Sequence, residues 1–354
     1  MKILHISRSM GQGGAQKIVY QLCMDNKDCE QIIISAGGYY VPELESSGIK
    51  HYVIPDIDKK NPLTIIKCFW KILRVIKNEK IDIVHTHHRM AAFYAQVSSF
   101  FVKTKKVYTA HNVFYGKKML MRFSLRNTKI VAVGNGVKNN LIVEYKIPEH
   151  QIVVIKNTIK IEGEKEEEPL LGKLRADGKK LVGTIGRLSE QKGMDIYIRS
   201  VKQVVKKYPN IIGVVVGDGE KRKELEQLVE QLELYNNIVF LGYKRNVLNI
   251  IKQLDFIVLA SRWEGLPLTP IEVFSQGKTI IASDISGNNE VIEDGVNGLL
   301  CEKDNVDEFV EKICYIINNS EQRIKLEINA LETYHREYDY NLFICKYLQL
   351  YNIL

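Results

Sequence analysis

Short apolar runs alternate with amphipathic stretches along this chain of 354 residues, and they do so in two separate series. A run such as Ile3-Leu4-His5-Ile6 is too short to be a helix of its own. Strands of this kind, repeated with helices between them, dictate βαβ units and a parallel sheet covered on both faces. The first series comprises Ile3–Ile6, Gln31–Ser35, His51–Ile54, Ile81–His85, Lys106–Thr109, Ile130–Val133 and Ile152–Ile155, with amphipathic stretches at Leu63–Lys77 and Met90–Phe101. An acidic segment interrupts it: Glu162, Glu164, Glu166, Glu167, Glu168 and Pro169. The alternation restarts with strands at Leu181–Ile185, Ile211–Val216, Ile238–Leu241, Phe256–Leu259 and Thr279–Ala282. Helices are expected between them at Met194–Lys207, Glu220–Leu232 and Pro270–Gln276, and afterwards at Asp307–Asn318. We expect an α/β chain of two doubly wound, Rossmann-like parallel-sheet domains, 1–160 and 175–335, facing across a cleft at the carboxyl ends of their strands. Residues 336–354, apolar and aromatic at helical spacing, form a terminal helix that packs on a domain or returns to the first one. At roughly 150 residues per domain, the length agrees with two.

Composition removes several classes. With 45% hydrophobic and 26% charged residues the chain is not disordered. No apolar run reaches the ~18 residues of a membrane span, and the opening MKILHISRSM is not a signal peptide. Six scattered cysteines with no C-x-x-C pair read as reduced thiols in the cytoplasm. The net charge of +8 conceals an asymmetry: residues 1–160 hold 25 Lys and Arg against 11 Asp and Glu, and the remainder holds 25 against 31. The first half therefore invites an anionic partner.

The segment Ser261 to Gly277 is the richest in chemistry. Thr269 suits a helix N-cap, Pro270 the first helical position, Glu272 the reciprocal place in a capping box, and Gly277 the helix stop. The loop from Glu264 thus leads into a helix N-terminus, whose unpaired N–H groups attract anions. Glu272 also reads as a capping residue only, and Glu264 as a solvated loop acid. In Gly186-Arg187-Leu188-Ser189-Glu190-Gln191-Lys192-Gly193, two cations and two glycines follow the first strand of the second series, where a phosphate-bearing ligand sits in such folds. Arg187 and Lys192 there look like a diphosphate clamp. Gly217-Asp218-Gly219-Glu220 reads as turn chemistry.

In order, these motifs resemble the retaining GT-B glycosyltransferases of family 4, which build bacterial polysaccharides and glycolipids. The resemblance rests on Glu264 and Glu272 in an E-x7-E spacing, the 186–193 loop, the 217–220 turn, Leu241-Gly242-Tyr243, the 283–290 segment with Gly287, Gly13-Gly14-Ala15-Gln16, His85-Thr86-His87 and Thr109-Ala110-His111-Asn112. It implies that Arg187 and Lys192 bind the diphosphate of a UDP- or GDP-linked sugar, with backbone amides of Gly265, Leu266 and Leu268. It implies that Glu272 holds the ribose, Glu264 contacts the transferred sugar, Tyr243 and Lys244 line the base pocket, and Gly13 and Gly14 form a loop at donor or acceptor. His111 becomes an active-site residue that positions the donor. Retention likewise comes from the family. Three positions depart from its usual pattern: Thr158 after Asn157, Gly134 for a serine, and Pro267 where glycine is frequent.

No D-x-D triplet accompanies the motifs of the second series, so fixed cations replace a metal and transfer is expected to be metal-independent, with no cofactor. His85, His87 and His88 cluster at a strand end, but no carboxylate or cysteine completes a metal set. Lys103, Lys105, Lys106, Lys117, Lys118, Arg122, Arg126 and Lys129 mingle with Phe100, Phe101, Tyr115, Met119, Leu120, Met121, Phe123 and Leu125. That mixture fits a solvated basic face or a membrane surface. The lipid-linked acceptors common in the family favour peripheral contact with an anionic membrane, in capsule, exopolysaccharide or lipopolysaccharide assembly. No nucleic-acid motif accompanies the charge. Two other readings stand beside this one. A dinucleotide-dependent oxidoreductase would rest on Gly11, Gly13 and Gly14, which lack the G-x-G-x-x-G spacing. A non-catalytic nucleotide-sugar-binding protein would keep the clamp without turnover.

Overall fold

The computed structural model describes residues 1–59, 61–161 and 167–354; of the acidic segment, Glu162, Glu164 and Glu166 lie outside the described residues. The chain forms two compact units, Met1–Thr158 with Tyr340–Leu354, and Ile159–Asp339.

The first unit holds a seven-stranded sheet: β1 Lys2–Ile6, β2 Glu30–Ser35, β3 Lys50–Val53, β4 Ile83–Thr86, β5 Lys105–Ala110, β6 Lys129–Ala132 and β7 Ile152–Val154. Its order is β3-β2-β1-β4-β5-β6-β7, with every pair parallel. The chain reverses its winding between β1 and β4, which makes this the switch point of the sheet. Ile3, Leu4, His5 and Ile6 of β1 are fully buried, as a central strand covered on both faces must be. The helix Pro62–Asn78 starts on Asn61, whose side chain accepts from the Leu63 N–H at 2.9 Å, with Pro62 in the first turn. Its buried face, including Ile72 and Ile76, packs in one cluster with Leu4, Ile6, Ile32 and Ile34.

The second unit holds a six-stranded parallel sheet: β8 Lys180–Ile185, β9 Ile211–Val216, β10 Ile238–Gly242, β11 Phe256–Leu259, β12 Ile280–Ser283 and β13 Leu299–Cys301. Its order is β10-β9-β8-β11-β12-β13, with the switch between β8 and β11. The expected strands all form. β13 was not expected, and its three residues carry too little pattern to be read.

The helix Tyr340–Asn352 belongs to the first unit. It buries Phe343, Ile344, Tyr347, Leu350 and Tyr351, and its Tyr340 hydroxyl donates to Asp25 at 2.7 Å. Among the described residues, no helix is long and apolar enough to cross a membrane.

Candidate functional site

In the second unit the carboxyl ends of β8, β9 and β10 are stitched by backbone bonds: the Gly186 N–H donates to Val216 O, Gly217 N–H to Gly242 O, and Leu188 N–H to Asp218 O. The 217–220 turn is more than turn chemistry. Gly217 has a φ of +136° and its backbone touches the 186 peptide so closely that a Cβ would stand 1.9 Å from Gly186 O. A Cβ on Gly219 would stand 2.4 Å from Leu188 O. The glycines therefore let the β9 turn press on the loop that carries Arg187 and Lys192. Gly193, at a φ of +59°, closes that loop against Ala260 O, 2.0 Å from where a Cβ would sit.

Both cations already have carboxylate partners within the unit. The Arg187 guanidinium, largely exposed, bonds Glu220 at 3.0 and 3.1 Å. Lys192 Nζ lies 2.5 Å from Glu264 Oε1, a pair with side-chain exposures of only 17% and 7%. Glu264 also accepts from the Ser261 hydroxyl at 2.8 Å and from Gln191 Nε2 at 3.2 Å. Three donors on a buried carboxylate fix it in place. Gly287 packs beneath it; a Cβ there would fall 2.8 Å from the Glu264 Cβ. Glu264 is thus no solvated loop acid.

The capping box expected at Thr269 does not form. The helix runs Leu268–Ser275 with Pro267 in the cap position, which makes no side-chain cap bond, so Thr269 and Pro270 lie inside the first turn. Pro267, with its φ preset near −70°, starts the helix one residue before the cap that Thr269 seemed to offer. Leu268 is therefore the first helical residue, following Gly265 and Leu266 in the loop. Glu272 is buried on the same helix. The stop at Gly277 is as expected: its N–H bonds Phe274 O and the Lys278 N–H bonds Val273 O, the paired bonds of a Schellman end. Tyr243 is half-buried beyond β10, and Lys244 pairs with Glu168 at 2.6 Å.

In the first unit, Gly13 caps the helix Gly14–Asp25 just after β1. The loop after β2 presses on the segment that leads to Gly13: a Cβ on Gly38 would stand 2.5 Å from the Met10 carbonyl carbon. The histidines form a group that the sequence disclosed only in part: His5 and His111 join His85 and His87, and His88 does not. His5 of β1 and His85 of β4 are register partners. His87 follows β4, and His111 follows β5. His5 Nδ1 lies 3.0 Å from His87 Nε2, and His87 Nδ1 lies 3.2 Å from His111 Nε2. His85 is held between the Tyr351 hydroxyl at 2.7 Å and Thr109 Oγ1 at 2.8 Å. Burial lowers all four: His5 and His111 to about 4, His85 and His87 well below 6.5. His88 stands apart, accepting from the Met90 N–H at the start of the helix Arg89–Ser98. The ring nitrogens of His5, His85 and His87 lie within 4.8 Å of one another, so the metal-like grouping includes His5 rather than His88.

A pocket of about 340 Å³ opens beside this region, lined by His88, Arg89, Lys117, Leu120, Tyr145 and Asp58 among others. Of the expected basic patch, Lys106 is withdrawn: it is buried, and its ammonium bonds Gln96 and Arg126 O. Lys118 pairs with Glu144 and Arg122 bonds Tyr145 O. The apolar members divide: Met119 is 86% exposed, Tyr115 75% and Phe100 69%, but Met121 and Leu125 are buried in the core. Leu63, Ile66 and Trp70 of the helix Pro62–Asn78 add exposed apolar surface that the charge pattern did not single out.

The family model for glycosyl transferases group 1 matches residues 167–333, and that for glycosyltransferase family 4 matches residues 12–162. An uncharacterised glycosyltransferase of Methanocaldococcus jannaschii is 31% identical over 283 residues, 72% of this chain and 70% of its own. The UDP-Gal:alpha-D-GlcNAc-diphosphoundecaprenol alpha-1,3-galactosyltransferase of Escherichia coli is 25% identical over 346 residues, 90% of this chain and 88% of its own. Among solved structures, Anabaena HepE in complex with UDP-glucose matches with a TM-score of 0.88 at 22% identity over the full length of both chains, a likeness of fold.

Proposed function

The chain belongs to the group 1 glycosyl transferases, GT-B glycosyltransferases of the family 4 type that use a nucleotide-sugar donor, and from that premise we propose that it moves a hexose from a uridine diphosphate sugar to a lipid-linked saccharide, with retention and without a metal. The observation that carries the donor site is the glycine-locked loop that sets Lys192 against Glu264, four residues before the helix Leu268–Ser275. The E. coli relative, whose donor is UDP-Gal and whose acceptor is a diphosphoundecaprenol, supports the substrate classes.

In this reading Arg187, Lys192 and the amides of Gly265, Leu266 and Leu268 receive the diphosphate. The bond from the sugar C1 to the phosphate oxygen breaks, and its electron pair leaves on that oxygen, where the two cations and the helix N-terminus stabilise the charge. The acceptor hydroxyl bonds C1 on the same face, and its proton passes to the leaving phosphate. Glu272 holds the ribose, Glu264 the transferred sugar, and Tyr243 and Lys244 the base, while His111 and the Gly13-Gly14 loop position the sugars. The test is a thermal-shift panel of UDP, GDP and their sugars, followed by hydrolysis of the hits. UDP at a hundred times its Kd should stabilise the protein by about 2.7 kcal/mol. Stabilisation unchanged by Arg187→Ala and Lys192→Ala would overturn the clamp. Activity abolished by EDTA and rescued by manganese or magnesium would overturn metal independence.

The acceptor is proposed to meet the first unit at the pocket of His88, Arg89 and Lys117, with the enzyme working peripherally on the cytoplasmic face of the plasma membrane in polysaccharide or lipopolysaccharide assembly. Exposed Met119, two residues from Lys117, and exposed Phe100 and Phe101 support that surface. Flotation with anionic vesicles at low salt should recover the protein, and neutralising Lys117, Lys118 and Arg122 should release it.

A further inference from the structure

We infer that a buried relay, Gln31 to His5 to His87 to His111, fixes the tautomer of His111 and keeps its buried Nδ1 as a bare hydrogen-bond acceptor, reserved for a substrate hydroxyl. The direction of the relay is set at its far end. The Gln31 amide nitrogen donates to the carbonyls of Asn26 at 3.1 Å and Cys29 at 3.4 Å, so its oxygen faces His5 Nε2 at 2.8 Å. An amide oxygen only accepts; His5 Nε2 must carry the hydrogen. A neutral imidazole has one donor and one acceptor, so His5 Nδ1 is bare and His87 Nε2, 3.0 Å away, donates to it. His87 Nδ1 is then bare, and His111 Nε2 donates to that at 3.2 Å. What remains is the His111 Nδ1 lone pair, which is buried and bonded to no described residue. Burial keeps each ring neutral near pH 7, so no step of the sequence is lost to protonation.

His85 forms a separate branch, because both its nitrogens take hydroxyl partners, Tyr351 and Thr109. A metal shared by His5, His85 and His87 would compete with the relay, but it would have to displace the His5–His87 bond and one hydroxyl of His85. Gln31, His5 and His87 are thus positioning residues, acting through His111. A group so fixed discriminates by tautomer as well as by place: it accepts from a hydroxyl and cannot donate to one. The tautomer rests on these hydrogen bonds alone; the hydroxyl it meets rests on the transferase reading above.

Long-range 1H–15N spectra of the full chain labelled with 15N-histidine, near neutral pH, test it. His5, His87 and His111 should all show hydrogen on Nε2. Gln31→Met removes the acceptor that sets the direction, so His111 should become a mixture of tautomers, and kcat should fall with the share that loses the bare Nδ1, about twofold for an even mixture, with the donor KM unchanged. His87→Phe cuts the relay and should do the same. Hydrogen on His111 Nδ1 in the unaltered protein, or a stoichiometric metal with metal-shifted histidine signals, would overturn the relay; this spectrum decides even if the variants fail to fold. Mixed tautomers with an unchanged kcat would overturn the acceptor role while leaving the transfer reading intact. Nε2 tautomers in a protein with no transfer activity would leave the relay and remove the transfer reading.

Discussion

Lys192 and Arg187 carry the same charge in the same loop, yet their surroundings make them different residues. Lys192 sits against a buried carboxylate, so Lys192→Met strands the Glu264 charge and should cost about 3 kcal/mol of stability. Adding Glu264→Gln should recover much of that, a coupling that a double-mutant cycle by urea unfolding would measure. A purely additive double variant would show that the pair is not the source of the loss. Arg187 and Glu220 are both more than half exposed, and such pairs are worth less than about 1 kcal/mol. Arg187→Ala should therefore leave Tm nearly unchanged, so any loss of nucleotide affinity reports on binding. The charges were legible in the sequence. Their carboxylate partners were not, because Glu264 reaches Lys192 only when two strand-end loops meet. His111 was legible by its motif, but His5 and Gln31 were not: a lone polar residue in an apolar run gives no sign of its neighbour across the sheet.

Between elements, glycines set how closely loops approach. Gly217→Ala should destabilise the second unit by roughly 3 kcal/mol or more, since its Cβ would overlap Gly186 O. Gly178→Ala is the control: its φ is +74° but its Cβ meets open space, so only the backbone cost of about 1–2 kcal/mol applies. Equal losses at the two sites, read by chemical denaturation, would show that the contact between loops is not what matters. Twelve strands announced themselves by their apolar runs. The helix Ser320–Glu337 was not called, because its buried stripe, Leu326, Ala330, Thr333 and Tyr334, mixes small and polar residues and weakens the periodicity. Similarly, the helix at Leu268 starts one residue before the cap that the local sequence suggested.

For the molecule as a whole, the buried histidines couple folding to pH. His5 is fully buried and held to about 4 against an ordinary 6.5. The unfolded chain takes up that proton below pH 6.5 and the folded one only near 4, so stability present above 6.5 is lost as the pH falls through this window. His5 alone contributes a loss on the order of 3 kcal/mol. Urea unfolding between pH 7 and 4 should show it, and His5→Phe should flatten the slope. Truncation before Tyr340 should also destabilise the first unit, at about 2 kcal/mol for each buried aromatic removed. It takes Tyr351 from His85 as well. The sequence by itself determined two parallel sheets, the cations of the 186–193 loop and the family, because apolar periodicity and motif spacing are local properties of a chain. Only the tertiary structure decided that the last helix belongs to the first unit, that Glu264 is buried on Lys192, and that three residues from β1, β2 and the end of β4 line up behind the imidazole of His111, because each of these depends on contacts between segments far apart in the chain.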